Sequence, residues 1–144
     1  MTTIIAIIEI SIFLLLSGIH FYWVFGGKWG TDAVFPTTDD TIKVAMPGII
    51  PTLTVTLGLL FFGFIVLANA VNLGIEFPKW IHFLLNYGLW VIAGIFIVRA
   101  IGEFNYVGFF KKIKHTKFAV NDTKYYSPLC FIIGILALIL ELNK

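Results

Sequence analysis

The sequence predicts an all-α fold: a four-transmembrane-helix bundle forming a single integral membrane domain over residues 1–144. Three observations predict it. The chain is 59% hydrophobic and only 12% charged, against roughly 25% charged in an average soluble domain. Mean hydropathy is +0.96, and so few charges cannot cover a water-soluble globule of this size. Four apolar stretches approach or reach the roughly 20 residues that a hydrocarbon layer about 30 Å thick demands of a helix. The same balance excludes a soluble enzyme, a nucleic-acid module and a disordered chain. A net charge of +2 is too small to imply a polyanionic partner. The single cysteine, Cys130, excludes an internal disulfide and any CxxC redox or zinc site.

The first span covers about 4–25, with Glu9, Ser11, Ser17 and His20 as its clearly polar side chains. No Lys or Arg precedes it, it is too long for a signal-peptide core, and no A-x-A site follows, so it reads as a retained helix. The second covers about 48–71, with Pro51 in the first turn, where a missing N–H costs little. The third, about 79–102, starts just after Pro78. The fourth, about 127–142, is short. Ser127 suits its N-cap and Pro128 its first residue; a start near Thr123, capped by Asn121 or Asp122, would lengthen it. Four helices leave loops 26–47 and 103–126 on one side and both termini on the other. Of the ten Lys and Arg, eight (28, 43, 99, 111, 112, 114, 117 and 124) belong to the loop side. That bias predicts cytoplasmic loops and both termini outside.

Ionisable groups at membrane depth are costly, so each asks for an explanation. Glu9 and His20 lie eleven residues apart. That is three turns plus about 20°, so they share one face, roughly 16 Å apart along the helix. Glu9, about two turns from the outer end, reads as a carboxyl that is hydrogen-bonded or reached by interfacial water. His20 reads as a satisfied packing histidine, with proton handling or ligand binding as the sharper alternative. Trp23, beside Tyr22, suits an interfacial aromatic belt. Thr52, Thr56 and Gly63 on one face of helix two, with Thr54 and Gly58 on the next, form a small-residue packing surface. Asn69 and Asn72 end that helix at the interface. His82 and Asn86 share a face near the outer end of helix three. The chain has three histidines, with His115 on the other side, so no metal site is expected. Arg99 and Glu103, four apart, are placed for an intrahelical ion pair. Alternatively Arg99 snorkels to lipid phosphates, and a substrate role for either is the sharper reading.

Loop 103–126 interleaves Phe104, Tyr106, Phe109, Phe110 and Phe118 with Lys111, Lys112, Lys114, Lys117 and Lys124. This suits a segment lying on an anionic leaflet, each cation contributing about 1 kcal/mol. Membrane lipid with anionic headgroups is the expected partner, and nucleic acid is not. Gly26-Gly27-Lys28-Trp29-Gly30 reads as a tight turn, or more sharply as exposed N–H groups that meet an anion. It lacks the spacing of a P-loop. Asp32, Asp39 and Asp40 read as solvated. Cys130 packs as a small hydrophobe. No G-x-S-x-G, H-E-x-x-H or dinucleotide fingerprint occurs, and nothing points to a particular cofactor.

Several strings taken together are familiar. They are His20-Phe21-Tyr22-Trp23 leading to Gly26-Gly27-Lys28-Trp29-Gly30, and Arg99-Ala100-Ile101-Gly102-Glu103-Phe104-Asn105-Tyr106-Val107-Gly108-Phe109-Phe110-Lys111. Phe118-Ala119 with Asp122-Thr123, and Tyr126-Ser127-Pro128-Leu129-Cys130, complete them. Over essentially its whole length the chain resembles a family of small, functionally uncharacterised bacterial four-span membrane proteins, a domain of unknown function. The resemblance implies the architecture and supplies no activity. All these strings map to the loop side. His20, Trp23, Lys28, Trp29, Arg99, Glu103, Asn105, Tyr106, Asp122 and Tyr126 are therefore expected to form one polar and aromatic cluster at the cytoplasmic interface, suited to an ion, small amphiphile or lipid.

Three function classes follow. The favoured one is a binding or transport protein of the bacterial cytoplasmic membrane. The second is an intramembrane enzyme on a lipid- or quinone-like substrate, with His20, Glu103 and Asp122 as acid–base groups. The third is a non-catalytic subunit that packs the Thr/Gly face of helix two against a larger membrane complex. A homo-oligomer is the prior from size.

Overall fold

The computed structural model describes residues 1–42, 46–71 and 74–144. Lys43, counted among the loop cations, and Asn72, placed at the end of helix two, lie outside the described residues. Helix α1 spans Thr2–Val24, α2 Ile49–Ala70 and α3 Lys79–Ile101. These bounds match the expected spans to within two residues. The described residues contain no strand.

The fourth span departs from expectation. Helix α4, Lys117–Asn121, runs through a π turn, Asp122–Tyr126, into α5, Ser127–Leu142. The whole run is 26 residues. Its cap is Thr116, whose side chain accepts the Ala119 N–H at 3.1 Å. Neither Asn121, Asp122 nor Ser127 starts the helix, because Pro128 does not open one. A proline inside a helix removes one hydrogen bond and clashes with the carbonyl four residues back. The π turn absorbs this, with the Ser127 N–H bonded to the Asp122 carbonyl five residues back. The loop before it therefore ends at Thr116.

All four spans are long and apolar enough to cross a membrane, and the chain is a multi-pass membrane protein. Large apolar side chains such as Leu15, Phe61, Trp90 and Ile132 face outward. Hydrocarbon is the solvent that tolerates them, since lipid tails are as apolar as these side chains. The helices pack as two antiparallel hairpins, α1 with α2 and α3 with α5. In the first, Thr52, Thr56 and Gly63 are buried. Ser17 Oγ donates to the Thr56 carbonyl at 3.0 Å, and a Cβ at position 63 would lie 3.5 Å from Phe13. The Thr52, Thr56 and Gly63 face of α2 thus packs within the bundle, while Thr54 on the next face is exposed. In the second hairpin a Cβ at Gly134 would come within 2.6 Å of Ile97, so α5 lies close on α3. Phe13, Phe62 and Phe96, with ring centroids 5.7–6.2 Å apart, join the hairpins at the core. Asn69 is no mere helix end: its amide donates to Ile65 and to Leu85 of α3 at 2.9 and 3.1 Å.

Candidate functional site

The loop end of the bundle is organised by one carboxylate. Helix α3 ends because Gly102 adopts φ +88°, and the chain then doubles back to place the Phe109 N–H 2.8 Å from the Ala100 carbonyl. A Cβ at Gly102 would lie 1.8 Å from the Val107 carbonyl oxygen, and one at Gly108 (φ +91°) 2.3 Å from that of Ile101. Only glycine permits both the angle and the approach. The result brings the Gly108 N–H to 2.8 Å from Asp122 Oδ2.

Asp122 is fully buried in the π turn. Oδ1 accepts from Arg99 Nη2 at 2.9 Å. Oδ2 accepts from Gly108, from Lys111 Nζ at 2.9 Å and from Ser127 Oγ at 3.1 Å. Lys111 is buried too, and its ammonium also donates to the Gly108 carbonyl at 2.9 Å and to Thr123 Oγ1 at 2.6 Å. Lys111 is therefore not a surface cation resting on a leaflet, and Phe118 is likewise core rather than an interfacial anchor. Lys112, Lys114 and Lys124 remain exposed. The anticipated Arg99–Glu103 pair does not form. The helix stops before residue 103, and Glu103 accepts the N–H groups of Tyr106 and Val107 instead.

Beside this network is a cavity of about 950 Å³. Leu16, Ile19, Val55, Leu59, Phe96 and Leu129 give it apolar walls, and Cys130 contributes to them. His20, Trp23, Trp29, Arg99 and Tyr126 also line it, so half of the expected cluster gathers here. Asp122 stands behind Arg99 rather than in the wall. Lys28, Glu103, Asn105 and Tyr106 do not line it; Lys28, Glu103 and Asn105 are exposed. His20, Glu103 and Asp122 therefore do not meet as an acid–base set. The sequence does not single out Thr116, and it gives Ser127 and Lys111 other roles, a helix cap and a leaflet cation. That both meet Asp122 follows from the π turn and the loop, where periodicity gives no signal.

Trp29, Asp32, Val34 and Phe35, from the stretch after α1, line one side of the cavity. Gly26 and Gly27 close a turn onto Trp23 and Tyr22, with N···O distances of 3.0 and 3.1 Å. Trp23 Nε1 donates to the Trp29 carbonyl at 2.9 Å, and the Tyr126 hydroxyl to that of Ala33 at 3.1 Å. The aspartates expected to be merely solvated are exposed but engaged. Asp32 pairs with Lys117, and Asp40 accepts the Lys117 N–H at 2.8 Å. The hydrogen bond from Lys117 holds the Asp32 carboxyl below its ordinary range, and the Thr41 backbone N–H does the same for Asp39. His115 meets the Thr38 carbonyl at 3.0 Å.

At the other end, Glu9 is wholly buried and both its oxygens lack a hydrogen-bond partner among the described residues. The expectation of a solvated or hydrogen-bonded carboxyl is overturned, since Glu9 shares the inward face of α1 with Ala6 and Phe13. His82 and Asn86 are both exposed, with the His82 ring edge-on to Phe77. Among the described residues no three His, Cys, Asp or Glu side chains gather as metal ligands.

Residues 13–137 match the family model described as protein of unknown function (DUF3995), and the chain belongs to that family. No curated protein and no solved structure matches it.

Proposed function

We propose that this membrane protein binds one amphiphilic molecule in the cavity at its loop end, and that binding serves transport rather than chemistry. The observation that carries the reading is the cavity itself. Its volume, about 950 Å³, lies in the range of roughly 300–1,000 Å³ typical of small-molecule sites. An alkyl chain would lie against Leu16, Leu59, Phe96 and Leu129, with its polar end toward His20 and Arg99. Transport is favoured over chemistry because the candidate acid–base groups do not converge. Asp122 already accepts from four donors, and Glu103 is engaged with its own turn. The positive-inside bias supports a cytoplasmic loop end, with both termini outside. A cysteine at position 2, in a chain with Cys130 replaced by Ala, is then labelled in intact cells; protection would reverse the orientation.

Cys130 is the chain's one cysteine and lies in the wall, so it reports on occupancy. In phosphatidylcholine nanodiscs a twelve-carbon amphiphile should slow maleimide alkylation of Cys130 saturably, and Leu129→Trp should remove that protection by filling the cavity. Alkylation unaffected by any such chain contradicts the reading. Flux of the bound amphiphile in proteoliposomes, lowered by Leu129→Trp, supports transport; binding without flux leaves a carrier role unsupported.

A further inference from the structure

Building on the amphiphile-binding reading above, we infer that the bound molecule carries an acidic headgroup, a carboxylate or a phosphate ester, and that Arg99 recognises it. Charge at this end of the bundle is unbalanced. A single carboxylate, Asp122, faces two cations, Arg99 and Lys111, each at 2.9 Å. The other charged pair in the wall, Lys117 with Asp32, is neutral in sum. One positive charge is therefore in excess among the described residues of the site. An excess charge away from bulk water is costly until a counter-charge joins it.

The hydrogen-bond inventory points to the same residue. The Lys111 ammonium has three donors and three acceptors in place: Asp122, the Gly108 carbonyl and Thr123. Trp23 donates to Trp29, Tyr126 to Ala33, and Thr52 to the Gly48 carbonyl. Arg99 uses Nη2 on Asp122, while its Nη1 is buried without an acceptor among the described residues. A guanidinium presents its donors as a planar fork that matches carboxylate and phosphate oxygens. The Arg99 side chain is 33% exposed and lines the cavity, so a headgroup there meets the guanidinium and engages Nη1 once the atoms that bury it move aside. His20 stands in the same wall, its Nδ1 donating to the Leu16 carbonyl at 2.8 Å. A bare Nε2 is an acceptor, so the donors that meet an acid come from Arg99. The wall thus couples one cationic fork to a long apolar surface, the complement of an acid on an alkyl chain.

The test holds the chain at twelve carbons and varies the headgroup, reading protection of Cys130 in phosphatidylcholine nanodiscs. Laurate and dodecyl phosphate should bind about tenfold tighter than dodecanol, the gain of one charge-assisted contact, and dodecylamine no tighter than dodecanol. Arg99→Gln should erase the preference while dodecanol binding persists. Arg99→Lys, which keeps the charge facing Asp122, should retain a reduced preference and guards against a variant that fails to fold. The wild-type series needs no variant at all. Acid, alcohol and amine binding alike, or a preference intact in a folded Arg99→Gln protein, overturns the assignment while leaving amphiphile binding in place. Protection by none of the four removes the amphiphile reading, and this assignment with it. Doping the nanodiscs with phosphatidylglycerol separates two sources of the acid. Competition with laurate assigns the site to an anionic phospholipid, and its absence assigns it to a free single-chain acid; both agree with an acidic headgroup.

Discussion

Two carboxyl groups are completely buried in this bundle, and their surroundings are opposite. Asp122, at the loop end, accepts hydrogen bonds from Arg99, Gly108, Lys111 and Ser127. Glu9, toward the other end, has no partner among the described residues. Equal burial thus comes with opposite hydrogen bonding, and only the first carboxyl ties elements together among the described residues. Asp122 fastens the end of α3, the loop after it and the start of the fourth span to one another, and so shapes the cavity. Glu9, without a partner among the described residues, carries the desolvation cost of an unsatisfied polar group.

The sharpest way to break the comparison is Asp122→Asn. It leaves Lys111 and Arg99 without a counter-charge and should destabilise the protein by about 3–5 kcal/mol in denaturant titrations in mild detergent. A change near zero would mean that the network is decorative. Gly108→Ala should come next, at about 2–4 kcal/mol, from a strained φ plus the lost hydrogen bond to a charged acceptor. Glu9→Met carries the opposite sign. Replacing an unsatisfied group by an apolar one of similar size should stabilise by roughly 1–3 kcal/mol, seen as a higher melting temperature; a loss would show that Glu9 does have a partner.

The smallest effect belongs to the surface pair. The Asp32 carboxyl is held below its ordinary value of 3.8 by Lys117, so its contribution is present at neutral pH and disappears as pH falls through the lowered folded value. The melting temperature of wild type should exceed that of Asp32→Asn slightly at pH 7, and the two should converge below that ordinary value. A gap that widens in acid would reverse the sign. Asp39, lowered by the Thr41 N–H, follows the same direction.

Most of the fold was legible, because hydropathy and helix length are local properties. The first three spans could be placed to within two residues from apolar runs and from Pro51 and Pro78. The fourth could not, since Ser127-Pro128 is a normal start signal and nothing local announces a π turn that carries the helix through a proline. The site was half legible. His20, Trp23 and Arg99 lie near span ends, Trp29 in the loop after α1 and Tyr126 in the π turn, and they meet in space. Glu103 was misassigned because spacing of four matters only while the helix lasts, and Gly102, just past Arg99 in the last turn, was the available stop signal. Lys111 looked like any loop lysine, and its burial depends on a carboxylate eleven residues on. Glu9 shows the limit from the other side: its spacing from His20 marks the shared face, but nothing local tells whether a donor meets it there.

In the proposed function the amphiphile sits in the cavity and not on the lipid-facing surface. The most direct measurement is photo-crosslinking with a twelve-carbon acid bearing a diazirine near its terminal carbon, followed by mapping of the labelled residues. Label should fall on Leu16, Leu59, Phe96 and Leu129 and be competed away by unlabelled laurate. Label confined to outward-facing Leu15, Phe61, Trp90 and Ile132, and indifferent to competitor, would contradict that placement.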